Sequence, residues 1–236
     1  MDESGTPTQL AGAVQDLATE VVSALRSGDP FRLSGQVAHR DDTAPAADLT
    51  LAAVRVLGAD VLLPNVLRRT PTDPDDLAVV SRAVHAFPPP GGASPASAWS
   101  HWALRTTLSR LDASLNGAPD AHTEPGADWL QDTSWQVLTR QLAALAALAV
   151  PGDDSAVTRA ARARPVDVAR GFVRAVRRRD WLQAAGAGRW LVLLDGVPDT
   201  LGLEGGLDFV AQMSGADARV ALHLQAARLL RAGVPV

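Results

Sequence analysis

The stretch Pro165-Val166-Asp167-Val168-Ala169-Arg170-Gly171-Phe172-Val173-Arg174-Ala175-Val176-Arg177-Arg178-Arg179 reads as one α-helix. Proline stands at its first position, where the missing N–H is not needed and the fixed φ suits the helix. Placed at about 100° per residue, Val166, Ala169, Phe172, Val173 and Val176 gather on one side, which the spacing predicts as the buried face. Arg170, Arg174, Arg177 and Arg178 gather opposite, within about a third of the circumference, with Asp167 as their acidic neighbour.

Helices extend outward from this one in both directions. On the N-terminal side, Asp153-Asp154-Ser155 opens a short helix that ends near Arg164. Before it, the sequence predicts a long helix from about Ala127 to Val150, closed by Pro151-Gly152, with Leu130, Val137, Leu138, Leu142, Leu145 and Leu148 on its apolar arc. Ser94-Pro95 starts another, ending at the cap pair Asn116-Gly117. Asp73-Pro74 starts a helix through Phe87, which Pro88-Pro89-Pro90-Gly91-Gly92 stops. Three more precede it: from Thr6-Pro7 to Gly28, from Asp29-Pro30 to about Ala38, and from about Ala44 to Leu57 before Gly58, with Asp60 placed to cap a short piece through Arg68.

On the C-terminal side, Asp180 caps a helix from Trp181 to Leu194. Residues 195–206 read as loop, and helices follow over Leu207 to Met213 and Ala216 to Ala232. Leu191-Val192-Leu193-Leu194 resembles a buried strand, yet no partner strand is evident to satisfy its backbone. The fold class is therefore all-α: an irregular multi-helix bundle or helical-hairpin stack of about nine to ten helices. A single domain over residues 1–236 is expected, with an internal division at 88–93 between helices in 6–87 and helices in 94–233.

Absent residue types exclude much chemistry. There is no Cys, Lys, Tyr or Ile, and all 22 basic residues are Arg. The codons for Lys, Ile and Tyr are AT-rich, so a bacterial high-GC genome accounts for that part of the pattern. Without Cys there is no disulfide framework, thiol nucleophile or thiolate metal site. Without Lys there is no P-loop lysine, Schiff base or Ser-x-x-Lys site. The first residues, Met1-Asp2-Glu3-Ser4-Gly5, are unlike a signal peptide. The longest apolar run, Leu142 to Val150, is about half of what spans a bilayer. A cytoplasmic protein with no membrane contact is expected.

Charge is unevenly spread. Residues 159–190 hold nine Arg and two Asp, a local +7, so with the whole chain at −4 the remainder sums to −11. Clustered guanidinium groups repel one another at helical spacing and bind carboxylates and phosphates through paired N–H donors. This motivates the leading expectation: a non-enzymatic interaction or regulatory protein that docks an acidic protein surface through Arg170, Arg174, Arg177 and Arg178. Nucleic acid is an alternative partner for the same face, although the acidic chain as a whole disfavours a dedicated DNA binder. Arg164-Pro165 also stands where a helix-turn-helix would carry its turn glycine.

A second surface is a small-molecule pocket, of a binding protein or an enzyme of specialised metabolism, walled by Trp99, Trp102 and Trp129 with His101 as its polar group. Against it stands an aromatic core with one satisfied histidine. No metal site or cofactor is expected. His39, His85, His101, His122 and His223 show no ligand spacing, and Asp pairs at helix starts act as caps. Gly186-x-Gly188 follows a helix and lacks the third glycine of a dinucleotide loop. Catalytic residues and oligomeric state are not readable from the sequence.

Overall fold

A computed structural model describes residues 5–29, 31–33, 44–112 and 123–233. Among these the protein is all-helical, with ten α-helices of eight residues or more and no strand, as the sequence pattern implies. The expected helix from Asp29-Pro30 to Ala38 and the cap pair Asn116-Gly117 fall largely or wholly outside the described residues. The chain forms two compact units, one within Met1–Ala93 and Ser100–Thr123, the other within Ser94–Trp99 and Glu124–Val236.

The N-terminal unit contains α1 (Gly5–Ser27), α2 (Ala44–Leu57), α3 (Pro74–Ala86) and most of α4 (Pro95–Leu111). Its boundaries follow local chemistry. Gly28 ends α1 at φ 88°, and Gly58 ends α2 at φ 62°, both in the left-handed region that glycine enters without a steric penalty. Asp73 caps α3 by accepting a hydrogen bond from the Asp75 N–H at 3.0 Å. Val14, Leu17, Val54, Val61, Val80 and Leu104 lie in its buried core. Asp48–Arg68, which joins the end of α2 to a 3-10 turn and a short helix, is apolar enough by composition to cross a membrane. However, 67% of its most apolar window is buried, as in a core element.

The C-terminal unit is arranged around α8 (Trp181–Leu191), which packs on α5 (Trp135–Ala144), α7 (Pro165–Arg177), α9 (Leu203–Met213) and α10 (Ala218–Arg231). Small residues make this possible. A Cβ on Gly186 would stand 2.6 Å from the Ala143 carbonyl oxygen, and one on Gly188 would stand 2.5 Å from Leu207 Cδ2. The Gly-x-Gly pair thus serves helix packing. Between α5 and α7 lies α6 (Ala156–Ala163), capped by Ser155, whose Oγ accepts from the Thr158 N–H at 3.3 Å.

Three expectations are corrected. The long helix over 127–150 is broken into a 3-10 turn at Asp128–Leu130, α5, and a second 3-10 turn at Ala146–Leu148. Ser134, at ψ 152°, is extended and sets the start of α5. The end of α5 is set by tertiary contact: the Trp190 indole donates to the Leu142 carbonyl at 2.6 Å, and the Gly186 backbone abuts Ala143. Residues 195–206 are not all loop, since Asp199–Leu201 is a 3-10 turn and α9 begins at Leu203. The helix expected over Trp181 to Leu194 ends at Leu191, and residues 192 and 193 form the turn after it.

Candidate functional site

The site is built on α7. Its inner face carries Val168, Ala169, Gly171, Phe172 and Ala175, all buried. This differs from the predicted face: Ala169 and Phe172 are buried, but Val166 and Val173 are each 43% exposed and Val176 is half-buried. The reason lies across the interface. A Cβ on Gly171 would fall 2.0 Å from Thr139 Cγ2, so α5 and α7 meet where one side chain is only hydrogen. That close approach turns the small residues inward and leaves two of the wider valines facing out.

Thr139 also fixes the register of the two helices. It is fully buried, and its hydroxyl donates to the Trp135 carbonyl at 2.7 Å, with the Asp167 carbonyl 3.3 Å away. Arg164 adds a second tie. Its Nη1 donates to the Thr133 carbonyl at 2.9 Å, and its Nη2 pairs with Asp167 Oδ2 at 2.7 Å. The first turn of α5 is thereby fastened to the first turn of α7, and Trp135 is held beside the outer face of α7.

The opposite wall is the turn Pro198 to Leu201. Gly196, at φ 75°, passes 3.5 Å from Pro165 Cγ, counted from an added Cβ. A Cβ on Gly206 would stand 2.8 Å from Phe172 Cε1. The segment is thus seated on α7 at both ends. Between these walls runs a groove of about 870 Å³, floored by Trp135, Val166, Ala169 and Val173, walled by Pro198 and Leu201, and edged by Arg170, Arg174, Arg177 and Arg178.

The four arginines chosen from sequence are therefore brought together on one groove. Their electrostatic states differ. Arg170 Nη1 lies 3.4 Å from Asp167 Oδ1. Arg174 stands over the Trp135 ring, with Cζ 5.7 Å from the ring centroid, a cation–π distance. Among the described residues, Arg174, Arg177 and Arg178 make no ion pair, and all three are exposed.

The other predicted set is placed differently. Trp99 is fully buried, and its indole N–H donates to the Gly126 carbonyl at 3.2 Å. Trp129, half-buried, donates to the same carbonyl at 3.0 Å. One backbone oxygen thus serves both indoles. His101 and Trp102 are buried at 8% and 9% exposure and belong to the N-terminal unit. Among the described residues, no three His, Asp or Glu side chains are grouped to hold a metal ion.

Sequence reasoning missed Trp135, Val166, Val173 and the 198–201 wall as site residues. A signal for Trp135 existed: Asp132-Thr133-Ser134 is a helix-start cluster, and read as such it places Trp135 at the first position of a new helix. Comparison of the chain with family models, with curated proteins and with solved structures yields no match.

Proposed function

We propose that the protein is a non-catalytic docking protein that binds an acidic segment of a partner protein in the groove between α7 and the 198–201 turn. One observation carries this reading. Three exposed arginines without carboxylate partners among the described residues stand directly beside exposed apolar side chains. Like charges at helical spacing destabilise a helix by a few tenths of a kcal/mol per pair, roughly. A carboxylate-bearing ligand removes that repulsion and gains paired N–H···O bonds from each guanidinium. The apolar floor supplies burial that a purely ionic surface lacks.

The same floor weighs against nucleic acid, whose phosphate backbone calls for a continuous cationic track on a chain of basic balance. The test uses fluorescein-labelled peptides of mixed Glu and Leu in random order, titrated with the full-length protein by anisotropy. Binding is expected to weaken steeply with salt and to be lost in the Arg174→Glu/Arg177→Glu variant. Binding that this double reversal leaves unchanged removes the proposal. A duplex-DNA mobility shift at low salt that the reversal abolishes, with no peptide binding, assigns the groove to nucleic acid instead.

A further inference from the structure

Resting on the docking reading above, we infer that the groove receives its partner segment as an α-helix laid antiparallel to α7. Acidic residues in the ligand's first turn sit over Arg174, Arg177 and Arg178, and its apolar residues run back over Val173 and Val166. The walls of the groove select a helix. Among the described residues there is no strand edge to pair with an extended peptide. In the outer wall, Pro198 has no N–H, and the Pro198 and Asp199 carbonyls already accept from Leu201 and Gly202. An extended segment pressed against Val166 and Val173 would bury unpaired peptide groups, whereas a helix satisfies its own.

The orientation follows from a gradient along α7. At its N-terminal end Asp167 engages both Arg164 and Arg170, which lowers that half of the groove, lined by Val166 and Ala169, to a net +1 against the +3 of Arg174, Arg177 and Arg178. The guanidiniums at 174, 177 and 178, unpaired among the described residues, fall in the last turn and its C-cap, within about 6 Å along the axis at 1.5 Å per residue. Their i, i+3, i+4 spacing matches carboxylates at the same spacing on a facing helix. Acidic side chains are most favourable in the first turn of their own helix, where they meet the positive end of its dipole. Acids over the end of α7 therefore place the ligand's N-terminus beside the C-terminus of α7.

Three labelled synthetic peptides of equal composition test this on the full-length protein. One carries three Glu in its first turn with Leu at i, i+3, i+4, i+7 behind. The second has the Glu in its last turn. The third repeats the first with its central residue exchanged for a Pro moved in from the peptide's end. The acid-first peptide is expected to bind about tenfold more tightly than either of the others and to gain helical circular dichroism on binding. Arg178→Glu should weaken the acid-first peptide more than the acid-last one. Equal binding of the acid-first and acid-last peptides overturns the antiparallel placement, and equal binding of the proline-broken peptide overturns the helix. In both cases docking of acidic segments still stands. Absence of salt-sensitive binding by all three overturns the docking reading itself.

Discussion

The basic stretch of residues 159–190 divides into two halves that carry the same residue type and meet different neighbours. In the first, Arg159 and Arg162 pair with Asp154, Arg162 at 2.9 Å, and Arg164 pairs with Asp167 at 2.7 Å while holding the Thr133 carbonyl. In the second, Arg174 meets an indole, and Arg177 and Arg178 meet no carboxylate among the described residues. A local charge of +7 is therefore not a single surface property. The first half is structural, binding loop to helix. In the second half Arg189 is structural too, fully buried with its Nε donating to the Ala149 carbonyl, which leaves Arg174, Arg177 and Arg178 as the charge that the proposed partner would meet.

The sharpest way to break this division is through the face of α7 that supports it. Phe172→Ala removes a side chain that is 3% exposed and should cost about 3–5 kcal/mol in urea unfolding followed by circular dichroism. Val173→Ala, at a position 43% exposed, should stay within about 0.5 kcal/mol of the parent. Equal losses at the two positions would restore the face that simple periodicity predicts and close the groove as a binding surface.

A smaller effect is expected at the boundary between the halves. Asp167→Asn takes the carboxylate from Arg164 and Arg170 and should cost about 1 kcal/mol of stability, since both ion-paired hydrogen bonds are partly screened. The same change should tighten acidic-peptide binding about twofold at low salt, because Arg170 then joins the unpaired set. Weaker binding would mean that Asp167 holds the arginines in their working positions. The smallest effect belongs to Arg177→Ala/Arg178→Ala, expected to leave stability within about 0.5 kcal/mol of the parent, since relief of like-charge repulsion is offset by loss of two cations at the negative end of the helix dipole. A clear destabilisation would show that these two side chains are structural after all.

Much of the architecture was legible because its signals are local. Asp73, Ser155 and Asp180 each accept from the backbone at a helix start, and capping residues declare themselves without reference to the rest of the chain. What sequence could not supply were the features fixed across the fold. The stop after Ala144 depends on the indole of Trp190, and the early start of α9 depends on Gly206 fitting against Phe172. Gly205 and Gly206 weaken a helix by propensity, so their stretch reads as loop until the opposing ring is known. The arginines of the groove were legible for the same local reason as the caps. Their apolar companions were not, because valine at helical spacing signals burial equally well whether or not a glycine has turned the helix.

The hydrogen of Gly171 against Thr139 has a kinetic meaning as well. Two helices in contact at that distance have no slack, so the floor and one edge of the groove cannot part to admit a visitor. Adjustment falls to the 198–201 wall and to arginine rotamers at the rim, the latter interconverting in picoseconds to nanoseconds. Arrival of an oppositely charged molecule should thus be limited by diffusion and its electrostatic guidance, with no opening step to wait for.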